Sequence, residues 1–190
     1  MSRLITLSEI QPGDIWAMRL DKVGEMPLTW RLVLDAIGIG ERLVVEPRPV
    51  FGHIAIVASV GDAVHCMEEL ADGADATVRP VCTWWDGFRP QFGGDAQRDA
   101  FVDYLETLLH DRYDYRGIPL LGLARLFRDP AIAPAERNAF DCSSYGAVGL
   151  RHVGLDPWPG VESQLITPAD YEHGKLLTKY MEAGMLLSAT

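Results

Sequence analysis

Cys142, His53 and His65 are the residues whose types and places in the chain offer nucleophilic and proton-transfer chemistry. Cys142 follows Asp141, a strong helix N-cap type, so it is expected in the first turn of a helix. Free backbone N–H groups and the positive end of the helix dipole favour a thiolate there, and the same groups can hold a developing oxyanion. His53 follows Gly52 at the head of an apolar run. A strand-borne imidazole is a rigid base, and the glycine lets another group come close. His65 lies twelve positions further on, on the expected return strand. From there it can fix the tautomer of His53, the orienting role that a nucleophile–base pair requires. Glu68 competes for that role. A hairpin folded about Gly61 pairs residue 53 near residue 68 and sets a carboxylate beside the imidazole.

Each of these residues has a plainer reading when taken alone. Cysteine is among the most buried residue types, and a small thiol can simply pack a helix start. A histidine at a strand end can do no more than hydrogen-bond. The set His53, His65 and Cys142 would also suit zinc. No close ligand pair of the Cys-x-x-Cys or His-Glu-x-x-His kind supports that, so neither a metal nor a cofactor is expected. His110, His152 and His173 sit among polar neighbours in helical segments and read as solvated. Glu68-Glu69 alone reads as a solvated strand end.

The elements that must carry these residues divide into a strand-rich first half and a helix-rich second half. Pro12-Gly13-Asp14 is a turn before the strand Ile15-Trp16-Ala17-Met18. Residues 28–37 read as a short helix ended by Gly38 and Gly40. Gly52 to Ser59, the turn Gly61-Asp62 and Ala63 to Met67 form the clearest hairpin. Thr77 to Cys82 follows as a third strand, after a loop at 72–75. Residues 84–94, with Trp84, Trp85, Phe88 and Phe92, read as an aromatic loop that either lines a groove or covers the core. Asp95 caps a helix whose Phe101, Tyr104, Leu105, Leu108 and Leu109 share one face. Residues 117–127 read as a second apolar helix and 129–138 as a polar loop. The helix opening at Cys142 runs to about His152 and ends at Gly154. Thr167-Pro168-Ala169-Asp170 is a late helix start.

Composition bounds the answer. The 190 residues make one domain, 1–190, with room for a core, and the 48% hydrophobic and 23% charged shares are ordinary for a globular chain. A net charge of −10 argues against nucleic acid, which needs a positive face, and against docking on anionic lipid by charge alone. The three cysteines, Cys66, Cys82 and Cys142, are odd in number and show no short repeated spacing, so no disulfide framework is expected. With no signal segment and no apolar run of about 18 residues, the expectation is a product made in the cytoplasm, without stable membrane insertion. It would act elsewhere if a phage particle or an injection system carried it.

Phe-Asp-Cys-Ser-Ser-Tyr at 140–145 resembles the nucleophile helix of NlpC-type papain-like peptidases. Gly52-His53-Ile-Ala-Ile-Val resembles their histidine strand, Ala63-Val64-His65-Cys66 their next strand, and Pro12-Gly13-Asp14-Ile15 the turn before the histidine strand. Here the histidine precedes the cysteine. That order is similar to the circularly permuted branch, which includes YiiX-like proteins and the lecithin:retinol acyltransferase group. Tyr113-Asp114-Tyr115 and Thr167-Pro168-Ala169-Asp170 resemble the YiiX-like pattern too, so the likeness spans about residues 11–175. Position 144 is Ser where many relatives have Gly.

The resemblance implies an α+β permuted papain-like fold, an antiparallel sheet or half-barrel from the N-terminal half packed on helices from the C-terminal half. It implies a cysteine peptidase or amidase with Cys142 as nucleophile and His53 as base. The third member aligns with His65, while YiiX-like proteins tend to place a glutamate there, which keeps Glu68 as the alternative. Tyr113 matches a tyrosine that assists the oxyanion. The implied substrates carry amide, ester or thioester bonds, first among them peptidoglycan stem peptides and second acyl lipids. A non-catalytic module of a phage tail or cell-wall complex that retains the fold is the rival expectation.

Overall fold

The structure, a computed structural model, describes residues 4–25, 51–70, 73–79, 84–110, 112–113, 139–183 and 186–187. In chain order the strands are β1 (Leu4–Ile5), β2 (Ile15–Arg19), β3 (Phe51–Val60), β4 (Val64–Leu70), β5 (Gly73–Arg79), β6 (Trp85–Pro90), β7 (Arg112–Tyr113), β8 (Ala139–Phe140), β9 (Leu177–Met181) and β10 (Leu186–Leu187). Two α-helices join them among the described residues, α1 (Asp95–Thr107) and α2 (Cys142–His152). Six strands form one antiparallel sheet in the order β5-β4-β3-β2-β6-β9. The protein is therefore a mixed α+β chain built on a six-stranded antiparallel sheet.

The sheet is buried on both faces at its centre, and period-two alternation sorts its side chains between two cores. On one face Ile15, Ala17, Ile54, Ile56, Met67 and Phe88 pack against α1 and α2, with Phe101, Leu105, Cys142, Tyr145 and Leu150. On the other face Trp16, Met18, Ala55, Val57, Val64, Cys66, Trp85 and Met181 form a second cluster. From Ile54 to Val57 the residues of β3 alternate between these cores one by one, which explains why this stretch reads as an unbroken apolar run in the sequence.

Several sequence expectations are corrected here. The third strand runs Gly73–Arg79, taking in part of the expected loop at 72–75. Residues 85–90 are not loop: they form β6, a strand between β2 and β9. Trp85 to Phe88 are all buried, so no polar face marks them as a strand, and the tryptophans and glycine suggest a loop instead. The sheet is not drawn from the N-terminal half alone, because β9, near the C-terminal end, closes its edge beside β6. The cap of α1 is Gly94, and Asp95 is the first helical residue. Leu108 and Leu109 fall in the turn after that helix. The Thr167 start opens a 3-10 turn, Pro168–His173, not an α-helix. The expected helices at 28–37 and 117–127, the loop at 129–138 and Cys82 lie outside the described residues.

The expected end of α2 is met. Gly154, just past Val153, adopts φ +80, a left-handed conformation that glycine takes without steric cost. No helix among the described residues is long and apolar enough to cross a membrane.

Candidate functional site

Cys142 is the first residue of α2, and Asp141 is its N-cap, as the sequence indicates. The Asp141 carboxylate accepts the N–H of Ser143 at 2.9 Å and of Ser144 at 2.7 Å. The Ser144 hydroxyl returns to the Asp141 N–H at 3.0 Å, completing a reciprocal cap. Two further contacts tie this turn to the segment beyond the helix. The Ser143 hydroxyl lies 2.7 Å from the Ile166 carbonyl, and the Tyr171 hydroxyl donates to the Ser143 carbonyl at 2.7 Å. A Cβ at Gly146 would meet the Tyr171 hydroxyl oxygen at 2.6 Å, so only glycine lets the 3-10 turn seat so close to α2.

The electrostatics of this turn oppose one another. The helix terminus favours negative charge, but Asp141 already supplies some. Burial pushes the Asp141 carboxyl above its ordinary value, against the lowering by its Ser143 and Ser144 hydrogen bonds. Burial, with the nearby Cys142 and Asp141, pushes the Tyr171 phenol well up, so it stays a neutral donor. Cys142 itself is 4% exposed.

His53 belongs to a second constellation. Its Nε2 lies 2.8 Å from Oε2 of Glu68, which is fully buried. The same carboxylate accepts from Arg79 Nη2 at 2.9 Å, and from Arg79 Nε and the Thr77 hydroxyl. Burial alone would raise the Glu68 carboxyl. The hydrogen bonds and charges of His53 and Arg79 outweigh it and hold the group at about 2. The cluster links β3, β4 and β5, and the His53 ring lies 6.2 Å from that of Trp85.

Glu68, not His65, therefore stands beside His53. The register between β3 and β4 shifts between Val57 and Ser59, which leaves His65 opposite Ser59. His65 and Glu68 are an odd number of positions apart in a regular strand, so their side chains point to opposite faces. His65 is solvent-exposed near the hairpin end. The sequence offers Glu68 only through a hairpin folded about Gly61, which sets residue 68 near residue 53. The motif alignment pointed to His65 instead.

The same alternation separates His53 from Cys142. His53 pairs with Met18 in the register of β2 and β3, and so shares the face of Met18, Ala55, Val57 and Trp85. Cys142 packs on the face of Ile54, Ile56 and Met67. The structure brings His53 together with Glu68, and places the thiol on the other side of the sheet. Tyr113 is brought near the cysteine turn by its backbone: β7 and β8 pair in parallel, with Tyr113 opposite Phe140. Burial pushes the Cys66 thiol up, which makes it a poor nucleophile. Among the described residues no group of three His, Cys, Asp or Glu is arranged to hold a metal ion.

No protein-family model matches this chain, and no curated protein matches its sequence significantly.

Proposed function

We propose that this chain is a cysteine-dependent hydrolase of amide, ester or thioester bonds on a permuted papain-like plan, acting first on bacterial cell-wall peptides. The observation that carries the reading is the seat of Cys142: the first residue of a helix whose opening turn is capped by Asp141 and tethered by Ser143 and Tyr171. His53 is the imidazole that this chemistry needs as base, and in the observed register it is bonded to Glu68 on the sheet face away from Cys142.

In this mechanism the thiol proton passes to the imidazole and the thiolate attacks the acyl carbon. A C–S bond forms as the carbonyl becomes an oxyanion at the helix terminus. The substrate's C–N, C–O or C–S bond then breaks, and the imidazolium gives its proton to the leaving amine, alcohol or thiol. Water attacks the thioester, with the imidazole taking its proton, and the free acid leaves as the thiol is restored.

The proposal makes one structural demand. In the reacting form His53 must present its ring on the face of β3 that packs against α2. A one-residue slip carries a strand side chain to the other face. The register shift between Met18 and Arg19, beside the Met18–His53 pair, is the irregular point of the ladder next to His53.

A second reading is favoured by a specific observation. His53 stands across the sheet from Cys142 with its carboxylate partner already bonded to Arg79 and Thr77. That arrangement suits a non-catalytic module in which the polar cluster pins three strands together. The two readings separate in one experiment. The protein is incubated with muropeptides and with an activated acyl thioester, and its intact mass is followed. The hydrolase reading expects a covalent acyl adduct on Cys142 that decays with release of acid and is absent in Cys142→Ala. An unmodified protein and unchanged substrates would leave the module reading in its place.

A further inference from the structure

Where β6 ends and β9 and α1 begin, a groove of about 340 Å³ opens between Arg89 and Arg98, with Phe92 and Tyr180 in its walls. Small-ligand sites are of this size, about 300–1,000 Å³. The groove is remote from the cysteine turn along α2. Gln97, next to Arg98, donates to the carbonyl of Val153 at the opposite end of that helix from Cys142.

Arg89 is rigidly preset. Its Nε and Nη2 form a two-point pair with the buried Asp14 carboxylate, both at 2.8 Å. Nη2 also donates to the Glu9 carbonyl at 2.6 Å, and the guanidinium carbon lies 4.6 Å from the centre of the Tyr180 ring. None of these contacts uses Nη1. Arg98 forms the other wall. Its stem packs over Gly13: a Cβ there would meet Arg98 Cγ at 3.0 Å and the Phe92 ring at 3.1 Å, and φ +82 favours glycine as well. The Arg98 head pairs with Asp95 at 2.6 Å, but Asp95 is 83% exposed. An exposed pair of that kind is weak and easily exchanged.

We infer that this groove is a carboxylate-binding subsite for a short peptide. The carboxylate displaces Asp95 from Arg98 and takes the unused edge of Arg89, while the adjoining apolar part lies on Phe92 and Tyr180. The net charge of −10 gives an anion no long-range attraction, so recognition rests on short-range guanidinium contacts, which match carboxylate geometry. The inference stands apart from any chemistry at Cys142.

Isothermal titration of the whole protein tests it with three probes: N-acetyl-phenylalanine as free acid, its amide, and N-acetyl-glutamate amide. The free acid is expected to bind at least about tenfold more tightly than its amide, as loss of a charge-assisted hydrogen bond requires. Comparable binding of the glutamate probe would assign the site to acidic side chains, and its failure to chain ends. Arg98→Gln should weaken the acid by a similar factor. Asp95→Asn, which removes the competing carboxylate, should strengthen it. Equal binding of acid and amide, no binding at concentrations on the order of 10 mM, or affinity unmoved by both variants would overturn the subsite.

Discussion

The imidazole of His53 meets the carboxylate of Glu68 at 2.8 Å, and that carboxylate also accepts from Arg79 and Thr77 on β5. One buried anion thus gathers donors from both flanking strands. A buried carboxylate is costly unless fully satisfied, and here each of its oxygens is engaged. In the observed register the same satisfaction holds the His53 ring on the sheet face away from Cys142. Several consequences can be measured.

Glu68→Gln removes the charge and leaves the Arg79 head beside a neutral amide. Breaking a buried, hydrogen-bonded charge pair costs on the order of 3 kcal/mol. Urea unfolding should report a loss of that size with unchanged m-value. A change within about 0.5 kcal/mol, the scatter of ordinary surface substitutions, would mean that the cluster does not hold the strands.

The acid limb of stability follows from the same residue. The Glu68 carboxyl is held at about 2 in the folded protein, below its ordinary value of 4.5. A lowered folded value means that the unfolded chain binds the proton more readily. The contribution is therefore complete above the ordinary value and is lost as pH falls from there towards 2. Unfolding measured across that range should show a falling limb in the wild type that is shallower in Glu68→Gln. Identical slopes would contradict the assignment.

The cap of α2 is a separate term. Asp141→Ala removes an acceptor used by two backbone N–H groups and should cost about 1–2 kcal/mol, whereas Asp141→Asn should keep most of that. Thermal unfolding of the two variants gives the comparison directly, and equal losses would show that charge, not capping, is the larger effect.

Gly146→Ala tests the tether between α2 and the Pro168–His173 turn. Its Cβ would enter the space of the Tyr171 hydroxyl, which must then leave the Ser143 carbonyl. Overpacking of this kind costs typically about 1–3 kcal/mol. Tyr171→Phe should relieve the clash, so the double variant should be more stable than Gly146→Ala alone.

The legible parts of this protein were those with local signals. Asp141 before Cys142, Gly154 after α2 and Gly61-Asp62 between two apolar runs each fix a boundary by cap or turn chemistry, and each stands where the sequence places it. Strand β6 was not legible, because Trp85 to Phe88 are buried on both faces and show no alternation. Strand β9 was not either: Leu-Thr-Lys-Tyr-Met earns its place only by pairing with a segment some ninety residues earlier. The candidate site divides in the same way. The seat of Cys142 depends on its immediate neighbours and was read correctly. The partner of His53 depends on a register shift at Ser59, and the face of β3 that His53 occupies depends on its pairing with Met18. Neither register is written in a local motif.

The central claim is that Cys142 is a nucleophile whose proton goes to His53. The most direct measurement is the pH dependence of iodoacetamide labelling at Cys142, read by peptide mass spectrometry in the wild type and in His53→Ala. Urea unfolding first establishes that the variant is folded, and the Cys66 peptide serves as the unreactive control. The account predicts that Cys142 labels well below the pH of about 8.5 at which a free thiol titrates, and that this reactivity is lost in the variant. Labelling that follows a free thiol, or the same profile in both proteins, would contradict it and leave His53 and Glu68 as a structural pin of the sheet.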